Sequence, residues 1–177
     1  MLTVLLGGAR SGKSSAALRL AEQSGGRVCF IATSPRIDGD LELGARIEAH
    51  RAERPSSWET IETETDLAGA IAVAGDALVI VDCLTVWLGN LMHHGLDDDA
   101  ISAASDASIR SAAGRSADSI IVTNDVGSGI VPADATSRRY RDLLGGINQR
   151  WVAASDAAHL VIAGRALSLT ELGRPLP

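Results

Sequence analysis

Lysine is almost absent from this chain, cysteine is scarce, and no apolar run is long enough to cross a membrane. Of sixteen basic residues only Lys13 is not an arginine, and cysteine occurs twice. A membrane helix needs about 20 consecutive apolar residues, and the longest apolar stretches here break at Asp76 and Asp82. The opening MLTVLLGGAR has no cationic segment ahead of its Gly pair, which argues against a secretory leader. Cys29 and Cys83 each lie beside an apolar run and are expected as buried, reduced thiols of a cytoplasmic protein. Basic charge is also short. Sixteen Lys and Arg against twenty-two Asp and Glu give a net charge of −6, which excludes a general nucleic-acid binder held by clustered cations.

What remains is globular. Apolar residues make up 46% and charged residues 21% of 177, enough for a proper core and too apolar for general disorder. The length fits one domain, and no linker or internal repeat divides residues 1–177. The lone lysine admits two explanations: an arginine-rich composition that spared one lysine by chance, or a place that a planar guanidinium cannot fill. Its surroundings decide between them.

Short apolar runs alternate with helical patterns. Leu2–Leu6, Arg27–Ala32, Leu78–Val81, Ser119–Thr123 and His159–Ala163 read as buried strands, and Trp58–Glu62 as a short extended piece. Ser14–Gln23, Leu41–Arg54, Asp66–Ala74, Leu84–His93, Ala100–Ala113 and Ser137–Ala157 read as helices. The Leu41–Arg54 helix would open at Asp38 or Asp40 and stop at Pro55. Strands alternating with helices imply an α/β fold, an open and mostly parallel sheet with helices on both faces. Leu96–Asp99 and the tail from Ser168 are expected to be the least fixed parts.

Gly7, Gly8, Ala9, Arg10, Ser11, Gly12, Lys13 and Ser14 spell the phosphate-binding pattern G-x-x-x-x-G-K-[ST] between a strand and a helix. Glycines let backbone N–H groups converge on phosphate oxygens at the positive end of the following helix. Lys13 would reach the outer phosphates, and the Ser14 hydroxyl could ligate Mg²⁺. The motif claims the only lysine, so the second explanation is preferred. Asp82 ends a buried strand, where a carboxylate suits Mg²⁺ or caps the helix from Leu84.

In Ala45–Glu62, Arg46, His50 and Arg54 recur every four residues, a cationic row around an imidazole. Such a row would favour a neutral nucleophilic nitrogen beside a phosphate, or else be a solvated basic face. His93, His94 and His159 read as structural. Asn124 and Asp125 leave a strand just before two glycines, a place for backbone to approach a ligand.

Together GGARSGKS, IATS (Ile31–Ser34), RIEAHRAERPSSWETIE, VDCLTVWLGNLM (Val81–Met92), TNDVGSGIVP (Thr123–Pro132), RRYRDLLGGINQRW (Arg138–Trp151) and HLVIAG (His159–Gly164) resemble the bifunctional adenosylcobinamide kinase/adenosylcobinamide-phosphate guanylyltransferase family. The resemblance implies a RecA-like P-loop sheet, commonly a homotrimer. It implies phosphorylation of adenosylcobinamide by ATP or GTP, with Mg²⁺ held by Ser14 and Asp82. GMP transfer from GTP to adenosylcobinamide phosphate would follow, through a covalent intermediate on His50. Lys13 is the second catalytic residue it implies. Nucleotide contacts carry over to Gly7–Ser14, to Ala32, Thr33 and Ser34, to Arg51, Ala52, Glu53 and Arg54, and to Glu62 and Asp82. Two departures stand out. Asp125 occupies a position where the family carries Glu, and Ser168–Pro177 runs past its usual end. A kinase lacking the guanylyltransferase step, and a nucleotide-dependent regulatory module, are the competing readings.

Overall fold

A computed structural model describes residues 1–34, 51 and 54–172. Seven strands form one sheet in the order β3-β2-β4-β5-β1-β6-β7, where β1 is Leu2–Gly7, β2 Val28–Ala32, β3 Glu59–Glu62, β4 Leu78–Asp82, β5 Ser119–Asn124, β6 Ala157–Ile162 and β7 Arg165–Ser168. Every neighbouring pair is parallel except β6 and β7. The described helices are α1 (Lys13–Ser24), α2 (Leu67–Val73), α3 (Leu84–His93), α4 (Asp98–Ala113), α5 (Ala135–Ala154) and the short α6 (Leu169–Leu172).

The central strands are apolar on both faces, as strands covered on both sides must be. Alternate residues feed two cores. Leu2, Val4, Cys29, Ile31, Val79, Val81 and Ile121 pack with α2, α3, α4 and α5 through residues such as Ile71, Trp87, Leu88, Ile101 and Trp151. Leu5, Val28, Phe30, Ile80, Ile120 and Val122 face the other way, onto Ala17 and Ala21 of α1. Both faces therefore carry helix, unevenly among the described residues.

Local chemistry starts these helices. Asp66, Asp97 and Asp134 each accept a hydrogen bond from the backbone N–H three residues on, opening α2, α4 and α5. Asp98 and Asp99 add acidic charge to the first turn of α4, against the positive helix end. This corrects the expectation of a loose Leu96–Asp99: Asp97 is a cap, and the Leu96 carbonyl accepts from Arg139 Nη2 at 2.9 Å. The tail expectation also fails at its start, because Ser168 closes β7 in register with His159. The β6–β7 hairpin has no signal in the alternation of strands and helices. It turns through Ala163 and Gly164, both at positive φ (50° and 75°), which favours a tight two-residue turn. Most of Leu41–Arg54, including Asp38 and Asp40 ahead of it, lies outside the described residues.

Arg115 closes the connection from α2 to β4. Its guanidinium donates to the carbonyls of Ile71 (3.4 Å), Gly75 (2.9 Å) and Ala77. Hydrogen bonds from charged donors contribute more than neutral pairs. Arg115→Leu should therefore lower unfolding stability by about 2 kcal/mol, read as a shift in urea midpoint at unchanged slope. An unchanged midpoint would show that water replaces the guanidinium without loss.

Candidate nucleotide site

Parallel register places the carboxyl ends of five strands side by side. Gly7 pairs with Asn124, Ala32 with both Glu62 and Asp82, and Asp82 with Val122. Ligands of open parallel sheets sit beyond this edge. The predicted phosphate loop leaves β1 here, Gly12 is the N-cap of α1, and Lys13 is its first residue.

The loop can take its path because two positions lack a side chain. A Cβ at Gly7 would stand 2.3 Å from the Val161 carbonyl oxygen of β6, an impossible contact. Gly12 has φ 100° and lies so close to Gly164 that a Cβ would meet its Cα at 3.2 Å. Gly164 also donates its N–H to the Ser11 carbonyl at 2.8 Å. The hairpin turn thus braces the phosphate loop from behind. Sequence reading assigned the turn no such role; its one trace was the Ala-Gly pair after an apolar run.

Lys13 is only 6% exposed. Its ammonium donates to the Gly8 carbonyl at 2.6 Å and, more weakly, to Ser11 Oγ at 3.4 Å. Burial pulls its pKa below the ordinary lysine value, and the neighbouring Cys83 and Asp82 oppose that pull. Asp82 ends β4, half-buried. The N-cap of α3 is Cys83, so Asp82 is not that helix's cap. Ser14 is half-buried in the first turn of α1.

Thr33, fully buried just past β2, locks this edge together. Its hydroxyl donates to the Cys83 carbonyl and accepts from the Cys83 N–H, both at 2.9 Å. Asn90 of α3 donates to the Thr33 carbonyl at 2.7 Å and to that of Glu64 at 3.1 Å. A second group fixes the end of β5. Asn124 gives its N–H to Thr85 Oγ1 and its carbonyl accepts from Asn148 Nδ2, both at 2.9 Å. Asn148 Oδ1 accepts in turn from the Thr123 hydroxyl at 2.7 Å. Tyr140 donates to the Thr85 carbonyl, its phenol pushed up to about 12 by burial. Asn90, Thr85 and Asn148 were not anticipated, since a lone polar residue inside an amphipathic helix carries no spacing signal.

Of the histidine segment, Arg51 and Arg54 are described. Arg51 reaches Glu62 at 3.8 Å, and the Arg54 guanidinium lies 3.5 Å above the Phe30 ring. That brings the end of the segment to the edges of β2 and β3. His50, with Arg46, Ala52 and Glu53, lies outside the described residues. His94 lies against Glu64, just past the end of β3, at 3.1 Å. His159 is paired within β6.

Strand, phosphate loop and helix on a mostly parallel sheet define a P-loop nucleotide-binding protein of RecA-like fold. A prototypical ATPase from the type III secretion system of pathogenic bacteria superposes with a TM-score of 0.55 at 11% identity, covering 97% of this chain and 57% of that one, a likeness of fold alone. The family model for cobinamide kinase/cobinamide phosphate guanyltransferase matches residues 3–169, and the chain belongs to that family. The bifunctional adenosylcobalamin biosynthesis protein CobP of Pseudomonas aeruginosa is 39% identical over 180 residues, covering 99% of this chain and 100% of its own. That span takes in most of Ser168–Pro177, whereas the family model ends at residue 169. The Escherichia coli K12 protein CobU, described in the same words, is 36% identical over 178 residues, 93% of this chain and 97% of its own.

Cys83 sits inside the Thr33 lock with its thiol pushed up to about 11, chiefly by burial and then by Asp82. At pH 8 about one molecule in a thousand would carry the thiolate, against roughly a quarter for an unperturbed cysteine. Alkylation of Cys83 by iodoacetamide should therefore run at least about a hundredfold slower in the native protein than in guanidinium. Comparable rates would contradict this environment.

Proposed function

We propose that this protein carries out both reactions for which its family is named, on a single domain spanning residues 1–177. In the first, the alcohol oxygen of adenosylcobinamide attacks the γ-phosphorus of ATP or GTP, the bond to the β,γ-bridging oxygen breaks, ADP or GDP departs, and the alcohol proton leaves to solvent. In the second, the His50 imidazole attacks the α-phosphorus of GTP, a P–N bond forms, and pyrophosphate departs. A phosphate oxygen of adenosylcobinamide phosphate then attacks the same phosphorus, breaks the P–N bond and restores the histidine, giving adenosylcobinamide-GDP. His50 takes this role from its place in the family motif.

One observation supports the reading above the others: the only lysine of an arginine-rich chain is buried in the phosphate loop beside Asp82. Both steps are phosphorus transfers, in which positioning and charge neutralisation supply most of the rate. Lys13 would neutralise the outer phosphates, and the loop amides would orient them. Ser34, Arg51, Arg54 and Glu62 border the same edge and would contact the nucleotide, whereas Thr33, fully buried with its polar groups bonded to Cys83, Asp82 and Asn90, would brace that edge rather than touch the ligand.

Among the described residues no group of three His, Cys, Asp or Glu could hold a metal ion. One hydroxyl and one carboxylate, Ser14 and Asp82, suit Mg²⁺, which keeps waters and takes other ligands from phosphates. Bound there, Mg²⁺ would offset charge on the phosphate oxygens. No described helix is long and apolar enough to cross a membrane. A cytoplasmic homotrimer acting on free corrinoid and nucleotide, without nucleic acid, completes the proposal.

The deciding experiment follows label. With GTP labelled at the α-phosphate, the protein should retain acid-labile, base-stable label, the behaviour of a phosphoramidate, whereas γ-label should leave with pyrophosphate. Adenosylcobinamide phosphate should discharge the bound label. His50→Ala should lose labelling and adenosylcobinamide-GDP synthesis while keeping phosphorylation of the alcohol. Lys13→Ala should lose both activities by at least about a hundredfold without loss of fold. Stable α-label in the His50→Ala protein would overturn the assignment of His50, and phosphorylation with no labelling of the wild type would reduce the protein to a kinase.

A further inference from the structure

The segment between β5 and α5 is fixed at both ends and apolar in its middle. At its start, Asn124 is held by Thr85 and Asn148, and the Asp125 N–H donates to the Gly7 carbonyl at 3.1 Å. At its end, Arg138 Nη1 donates to the carbonyls of Pro132 (2.9 Å) and Ala133 (2.6 Å), while Asp134 caps α5. The turn between is shaped by polar bonds, since the Asp125 carboxylate accepts from the Gly127 N–H at 3.0 Å and Ser128 Oγ at 2.6 Å. None of this needs an apolar side chain. Yet Val126, Ile130 and Val131 are 37%, 98% and 62% exposed.

Scattered exposed apolar residues are ordinary, but three within six residues on an anchored segment are not accounted for by folding. Their place narrows what they meet. Asp125 touches the first residue of the phosphate loop, so Ile130, five residues on, lies within about 18 Å of it along the chain. A molecule large enough to span that distance can contact Ile130 and Val131 and still reach the phosphate loop. We infer that Val126, Ile130 and Val131 form the docking surface for the acceptor, a bulky macrocycle that carries methyl groups between its amide arms and whose reacting alcohol or phosphate hangs on a flexible arm. This rests on the function proposed above. The arm spans from the apolar surface to the phosphate loop, and the ring needs no charge to be held, which suits a chain whose net charge is negative.

The test is the double variant Ile130→Ser/Val131→Ser, at positions too exposed to alter folding. Equilibrium binding of adenosylcobinamide, followed by the corrin absorbance, should weaken about tenfold, and KM for adenosylcobinamide should rise in step. KM for GTP and retention of α-label in the absence of acceptor should stay unchanged. Ile130→Leu should keep wild-type affinity. Unchanged corrinoid affinity in an active double variant would overturn the surface and leave the proposed function intact. Wild type that binds adenosylcobinamide through these residues without turning it over would overturn the function and support the surface. A smaller particle in sedimentation, with acceptor-independent labelling falling alongside, would assign the patch to a second copy of the chain and overturn the inference.

Discussion

The site depends on two missing β-carbons. At Gly7 the chain runs so close to β6 that any side chain would stand inside the Val161 carbonyl oxygen, and at Gly12 it presses on Gly164. Only with both positions bare can the phosphate loop lie against the β6–β7 turn and accept the Gly164 amide on Ser11. That contact holds the carbonyl side of the loop. Donors help a transition state only if they are already aimed when charge develops, and a loop left to water would have to reorganise each time. The antiparallel hairpin at the edge of an otherwise parallel sheet thus belongs to the site as much as the loop does.

The same edge explains several of the buried polar side chains. A parallel ladder ends abruptly, and the last carbonyls and amides of its strands need partners that the sheet no longer supplies. Thr33, just past β2, and Thr85, Asn90 and Asn148, from helices on one face, meet them. An unsatisfied buried group costs about 1–3 kcal/mol, so each of these residues is dear to replace by an apolar one of similar size. Their pairing also leaves the strand ends with little freedom. Ion pairs on the outside, such as Arg27 with Asp76 and Glu59, are well exposed on both partners and contribute little by comparison.

Legibility in the sequence followed how local the physics is. The strands of the central sheet could be read because continuous apolar runs are what two-sided burial demands, and α3 coincides with the segment expected from its pattern. The loop Gly7–Ser14 could be read because its chemistry is contiguous. Hidden were features that need two distant segments: the hairpin turn against Gly7 and Gly12, the Thr33–Cys83 lock across 50 positions, and Asn148 reaching back to Asn124. Asp97 reads as loop from the sequence, because a short acidic run looks like solvent-exposed linker, yet its carboxylate caps α4. Asp82 allowed two readings from sequence, and the N-cap position of Cys83 removed one of them.

The identity of residue 13 follows from the same accounting of donors and acceptors. A chain of net charge −6 offers little long-range attraction to a nucleotide, and screening confines what attraction exists to about 8 Å at physiological salt. The grip must be short-ranged and the cation must be inside the loop. An ammonium brings three donors on a compact head, and Gly8 and Ser11 occupy two of them. A guanidinium would bring five donors in a rigid plane to the same two acceptors. Its surplus N–H groups would be buried without partners, and its width would press on the carbonyls that brace the loop. Arginine serves this chain everywhere that a side chain can spread, over the Phe30 ring or across the carbonyls behind β4. Inside the phosphate loop there is room for a point charge only.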